Sequence, residues 1–319
     1  MSYASGGLIQ ATDYNGLAQT TVGGNIAYVW GTGSGQYGYG QNTSLISTVS
    51  TGGTVTATQW AGLIYTLNNV LGHQSGAGAQ LATGSNIGVV SGATIQYFSN
   101  VATAVTTINT NKALFNSTRG STITGSNFTY TFTTGGSTTA VTGQFSRTVT
   151  FSGGADAARY FFNAGGQINF VISSVTNGSG TARGTDWVTL IGTNLGGSQV
   201  AGTTSVGRTG SGGTQNTNST TLGYYNLTTA NQTLGQVTSA SATYTYDSDY
   251  ANIQVKTNGV QGSNQDNGTV ITFTCYQFQP AQTNSNFNDS VSAVITHRID
   301  ILPPETTFLG NVWGVIGIT

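Results

Sequence analysis

Three glycines carry the first chemical suggestion in this chain. The stretch VWGTGSGQYGYGQ (Val29–Gln41) places Gly33, Gly35 and Gly38 in the G-x-G-x-x-G spacing. That spacing lets backbone N–H groups cradle a dinucleotide pyrophosphate. The chemistry also needs a strand before the loop, a helix after it, and an acid about 20 residues further on to bind the ribose. Here the apolar spacing predicts a helix before the loop. Thr43 to Gly53 follows it and reads as irregular, and the next acid after Gly38 is Asp156. No P-loop lysine is present. The stretch therefore reads as a helix stop followed by a glycine–tyrosine loop, with Tyr37 and Tyr39 available to a partner.

The other chemical residue types are sparse. His73 directly follows Gly72, and His297 stands near Asp300. Neither belongs to a nucleophile elbow or a zinc-binding H-E-x-x-H. Serines are too common here for a Ser-His-Asp grouping to mean anything. Asp247, Asp249, Asp266 and Asp289 contain oxygen ligands suited to calcium, but in no EF-hand spacing. They read as turn residues between strands. Cys275 is the only cysteine. It lies in the alternating run TVITFTCYQF and reads as a buried core thiol. No catalytic residue, cofactor or metal is expected.

Composition points the same way. Charged residues make up 5% of the 319 residues, against about 25% in an average soluble protein. The formal net charge is −1. Nucleic-acid binding through a basic surface is not expected, because phosphate neutralisation needs clustered Lys and Arg. No apolar run is long enough for a membrane span. The opening MSYASGGLIQ has neither a basic nor an apolar leader segment, so a secretory signal is not expected. Hydrophobic residues still reach 37% and aromatics 10%, which argues for a packed core over disorder.

Two kinds of element must position these residues. IQATDYNGL (Ile9–Leu17) echoes VTATQWAGL (Val55–Leu63). Thr12 and Thr58 are the expected N-caps, since a hydroxyl can accept from free first-turn N–H groups. The second unit continues with Trp60, Leu63, Ile64, Leu67, Val70 and Leu71 at helical spacing, and Gly72 is the expected stop. The first unit is expected to run to Gly31, weakened at Gly23-Gly24. A third helix is expected from Tyr97 to Phe115. After about Arg119 the period changes to 2. Strands are expected over 127–133, 145–151, 166–175, 251–257, 269–278 and 291–302. DAARYFFNAGG (156–166) reads as a helical turn or tight corner, and 196–220 as a long flexible loop. The expected class is α+β, mainly β. A helical attachment region (1–118) precedes an antiparallel β-sandwich-like domain (119–319), jelly-roll or Ig-like.

Several stretches resemble virion structural proteins of T4-like tailed phages, notably those infecting marine bacteria and cyanobacteria. They are Ala11–Leu17, Gly31–Gln41, Thr56–Leu63 and His73–Gly76, then Ala158–Phe170, Trp187–Gly192, Gly223–Leu227 and Tyr244–Val255. The chain departs from the pattern at Gly23-Gly24 and in the closing PPETTFLGNVWGVIGIT. The resemblance implies a non-enzymatic structural role in a virion assembled in the host cytoplasm. It does not fix a position among tail, neck, fibres and head. The expectation is a tail, neck or fibre component anchored by its N-terminal region, and a symmetric homo-oligomer, as virion components usually are. The partners would be copies of itself and neighbouring virion proteins. A capsid decoration protein and a receptor- or glycan-binding adhesin at a fibre tip are the alternatives. Trp30, Tyr37, Tyr39, Trp60 and Trp313 are the residues expected at an assembly interface.

Overall fold

A computed structural model describes residues 9–19, 25–81, 98–136, 139–240, 246, 248–259, 268–281 and 289–319. The chain is α+β and mainly β, and it divides into two compact units. One comprises Met1–Gly120, Arg159–Gly165 and Pro304–Trp313; the other comprises Ser121–Ala158, Gly166–Pro303 and Gly314–Thr319. The division after Gly120 lies close to the change of period. The helical unit, however, also takes in two segments from much later in the chain.

The helical unit contains α1 (Ala11–Ala18), α2 (Ile26–Trp30), α3 (Ala57–Ser75) and α4 (Phe98–Thr110). The sequence echo is structural, for α1 and α3 begin at equivalent positions and bury equivalent residues, Tyr14 and Leu17 against Trp60 and Leu63. The caps differ from expectation. Thr58 lies inside the first turn of α3, and the N-cap is Thr56, whose hydroxyl accepts from Gln59 N at 3.2 Å. Gln59 Oε1 in turn accepts from Thr56 N at 2.9 Å, completing a capping box. In α1 the equivalent cap position is Gln10, which makes no side-chain cap. Thr12 is already helical there and cannot act as one.

Helix ends also differ. The first unit is two helices, not one: Gln19 is extended after Ala18, and α2 starts at Ile26. Gly23-Gly24 lies outside the described residues. Helix α3 runs through Gly72 to Ser75 and stops at Gly76, where φ is +86°. Gly72 instead makes room for a ring, since a Cβ there would lie 2.5 Å from Phe308 Cε1. Helix α4 ends at Thr110, short of the expected Phe115, which is 39% exposed. Val101, Val105 and Ile108 are its buried stripe; Tyr97 lies outside the described residues.

The other unit holds two antiparallel six-stranded sheets, arranged like a sandwich. The first consists of β1 (Ile123–Thr124), β2 (Phe128–Thr134), β4 (Gln167–Asn177), β5 (Ser198–Val200), β6 (Ser205–Val206) and β11 (Val291–Leu302). Its order is β1-β11-β4-β5-β6, with β2 also on β11. The second is ordered β12-β3-β10-β9-β8-β7. Its strands are β3 (Val141–Phe151), β7 (Thr214–Asn218), β8 (Gln232–Thr238), β9 (Tyr250–Thr257), β10 (Val270–Gln279) and β12 (Ile316–Ile318). Alternation places Phe145, Phe170 and Phe273 between the sheets: Phe170 stacks 6.1 Å from Phe145 and 5.9 Å from Phe273. Cys275 is fully buried beside them, and burial pushes its thiol up to about 12.

DAARYFFNAGG, expected as a helical turn or tight corner, forms a longer helix, α5 (Ala157–Asn163), whose residues from Arg159 onward belong to the helical unit. The expected loop at 196–220 contains β5, β6 and β7, with Arg208 donating to the Asn194 and Gly212 carbonyls at 2.7 and 2.8 Å. Its strands carry mostly Ser, Thr, Gln and Asn, so no apolar alternation marks them.

Candidate functional site

The glycine–tyrosine loop is the natural starting point. It follows α2, so it sits at a helix C-terminus, where the last carbonyls lack intrahelical donors. The loop supplies them. Tyr39 N donates to Val29 O at 3.1 Å, Gly40 N to Gly31 O at 2.8 Å, and Gln41 N to Trp30 O at 2.9 Å. These N–H groups are therefore engaged at the negative end of the helix dipole. A phosphate cradle needs the opposite arrangement, free N–H groups at a helix N-terminus.

The other face of the loop presents carbonyls. Arg159 Nη1 donates to Gly35 O at 3.4 Å and to Tyr37 O at 3.1 Å. Asn163 Nδ2 donates to Gly38 O at 2.7 Å and to Gly35 O at 3.3 Å. The two side chains lie four residues apart on α5, hence on one helix face, and both are 5% exposed. The glycines permit this tight fold. A Cβ on Gly38 would come 2.6 Å from Gly33 N, and both residues have positive φ. The G-x-G-x-x-G thus forms a carbonyl clasp around a guanidinium and an amide.

A second anchor comes from the Pro304–Trp313 segment. Gln41 lays its side-chain amide along Gly310, accepting from Gly310 N at 2.9 Å and donating to Gly310 O at 3.0 Å. His73 Nδ1 and Glu305 Oε1 are 2.8 Å apart, and both residues are buried. Glu305 Oε2 accepts from Thr307 N at 2.6 Å and Phe308 N at 3.2 Å. Burial raises the Glu305 carboxyl pKa, but the His73 hydrogen bond and the two N–H groups outweigh it and hold the pKa below its usual value. This pair has the form of a base and its orienting acid. No nucleophile stands with it among the described contacts, and it ties α3 to the late segment.

The residues expected at an assembly interface fall inside this unit. Tyr39 is fully buried, donates to Leu114 O at 2.7 Å, and meets the His73 ring edge-on at 4.6 Å. Trp30 is 7% exposed and donates to Asn42 O at 3.0 Å. Trp60 and Trp313 are each 3% exposed, with Trp313 edge-on to Phe161 at 6.0 Å. Side chains so enclosed by their own chain have almost no surface to offer a neighbour. Tyr37 differs. It is half-buried, with the Lys112 ammonium 4.4 Å from its ring centroid. Of the five, it is the one with a face left for a partner.

In the β unit the buried charge is equally internal. Arg183 on α6 (Ala182–Val188) grips Asp249 with two bonds, Nη2–Oδ1 at 2.6 Å and Nε–Oδ2 at 3.0 Å. The pair is 0% and 1% exposed. The Tyr246 ring lies 4.8 Å from the guanidinium, and its hydroxyl donates to Asp289 at 3.1 Å. Burial first, then Asp289, pushes that phenol up to about 12. Asp249 and Asp289 therefore hold internal donors. Asp247 and Asp266 lie outside the described residues, and no metal-holding group of acids, histidines or cysteine occurs among the described residues. His297 is fully buried against Phe145, centroids 4.1 Å apart. Burial, and then the Arg147 charge, lower its pKa to about 4.

Sequence reasoning missed Arg159, Asn163, Arg183 and Glu305. The R-x-x-x-N spacing in RYFFN was a legible signal of one shared helix face. Which loop it would meet was not legible, because the partner lies over a hundred residues away. Comparisons with known proteins add no relative: no family model, no curated protein and no solved structure matches the chain.

Proposed function

We propose that this chain is a non-enzymatic structural protein of a bacteriophage virion. It assembles as a symmetric homo-oligomer and contacts neighbouring virion proteins through its helical unit. The observation that carries this reading is how its scarce charges are used. Arg159, Arg183, Asp249 and Glu305 are all buried and all bonded to their own chain. They fasten distant segments of the chain together, as a component that must keep its shape inside an assembled particle requires. The resemblance of the sequence to phage virion proteins supports the same reading.

An open sheet edge supports assembly. Among the described residues, strand β12 pairs with β3 on one side only and ends the second sheet. Val315 beside it is 76% exposed, and no charged residue or proline occurs from Gly314 to Thr319. Edges left unprotected in this way are suited to pairing with another chain. Light scattering of the purified chain across a dilution series tests the reading. A discrete, concentration-dependent oligomer is expected; a monomer at every concentration would contradict it.

A further inference from the structure

The outer face of the second sheet carries a feature that the particle role does not need. Along β10, Ile271, Phe273 and Cys275 point into the core and are fully buried. Alternation turns Tyr276 and Phe278 to the other face, where both keep partial exposure. Register brings Tyr250 of β9 opposite Phe278. The Tyr250 ring lies 5.0 Å from Phe278 and 6.1 Å from Tyr276, tilted by 31° and 34°. Three aromatic rings thus form one cluster on a sheet face.

Amides border the cluster. Tyr276 pairs with Asn252 on one side and Gln144 on the other, and Asn252 pairs with Gln236 beyond it. One residue row therefore reads Gln-Tyr-Asn-Gln across four strands. Asn252 is 5% exposed, and its Oδ1 accepts no hydrogen bond. Such an acceptor just below a surface is costly to leave unmade. The first charged side chain along β9 on this face is Lys256, about 13 Å from Asn252 at the usual rise per residue.

We infer that this face is a binding platform for a neutral saccharide. Sugar rings present apolar C–H faces and hydroxyl edges. The Tyr250, Tyr276 and Phe278 rings suit the first, since their faces carry partial negative charge. The amides of Gln144, Asn252 and Gln236 suit the second, each offering a donor and an acceptor. The Asn252 oxygen is covered, so a sugar hydroxyl reaches it by displacing a neighbouring side chain. The cluster and its bordering amides carry no charge, which matches an uncharged ligand. Nucleic acid would need Lys and Arg along the aromatic row. The inference is independent of the virion reading, because binding and particle incorporation are measured separately.

The test is native affinity electrophoresis of the full chain through gels containing dextran, amylose, galactomannan or xyloglucan. Retardation by at least one polymer is expected. Tyr276→Ala and Tyr250→Ala should each weaken it by about fivefold, in line with the loss of one ring contact. Gln144→Ala, at an exposed position, should weaken it with no loss of fold. Tyr65→Ala, at a 59% exposed ring on α3, should leave it unchanged. No retardation by any of the four polymers would overturn the inference. So would variants that bind like the parent chain. A platform already covered by a second copy would also overturn it, seen as an oligomer that Tyr276→Ala dissociates while every polymer fails to retard the parent.

Discussion

Single side chains hold much of this molecule together, and each can be removed. Arg159→Leu deletes the donor to Tyr37 O while keeping an aliphatic side chain near α5. A loss of about 2 kcal/mol is expected, the scale of a charge-assisted hydrogen bond with its acceptor left buried. Urea unfolding monitored by tyrosine fluorescence measures it. Asp249→Ala strands the fully buried Arg183 guanidinium and should cost about 3–5 kcal/mol. The double variant Arg183→Met with Asp249→Leu should recover much of that loss, since it removes both charges. His297 governs a pH response. Its pKa is near 4 in the folded chain and about 6.5 when unfolded. The unfolded chain therefore binds the extra proton between these values. This contribution to stability is complete above about pH 6.5 and is lost as pH falls toward 4. Melting at pH 7 and pH 5 should show a smaller difference in His297→Leu than in the parent chain.

At the scale of elements, α3 offers a direct test of its cap. Thr56→Ala should cost about 1 kcal/mol, because it removes the hydroxyl acceptor of the capping box. Thr58→Ala and Thr12→Ala should each change stability by well under that amount. Equal effects of Thr56→Ala and Thr58→Ala in thermal unfolding would contradict the observed cap. These cap positions also show what a sequence can and cannot yield. The long strands were legible: β11 covers the predicted 291–302, and β10 and β2 begin one residue later than expected. Their cores alternate with period 2, which is a local property. Strands β5 to β7 were not legible, because their side chains are polar and their pairing is read from the backbone. The caps were misplaced by two residues: Thr56 and Thr58 compete at the start of α3, and at α1 the cap position is held by Gln10, which carries no capping hydroxyl. Among the expected interface residues, aromatic type and glycine context suggested exposure. Yet Tyr39 is buried against His73 and Leu114, and Trp313 against Phe161, partners far along the chain.

At the scale of the molecule, the helical unit is discontinuous in sequence. Residues 159–165 supply the two donors to the glycine loop, and residues 304–313 supply Glu305, Phe308 and Gly310. A division at 118 therefore leaves the helical unit incomplete. A fragment of residues 1–120 should show no cooperative thermal transition by circular dichroism, whereas the full chain should. The clasp is arranged unlike a phosphate cradle: Gly35, Tyr37 and Gly38 turn carbonyls to Arg159 and Asn163, and the N–H groups of Tyr39, Gly40 and Gln41 cap the end of α2. Isothermal titration with NAD or ATP should give no binding heat.

The assembly role is the central claim. Quantitative mass spectrometry of gradient-purified virus particles from cells in which the chain is produced during infection tests it most directly. The expected result is recovery at a fixed, stoichiometric ratio to the other structural proteins, retained after high-salt washing. Absence of the chain from such particles, with the protein abundant in the infected-cell lysate, would contradict it.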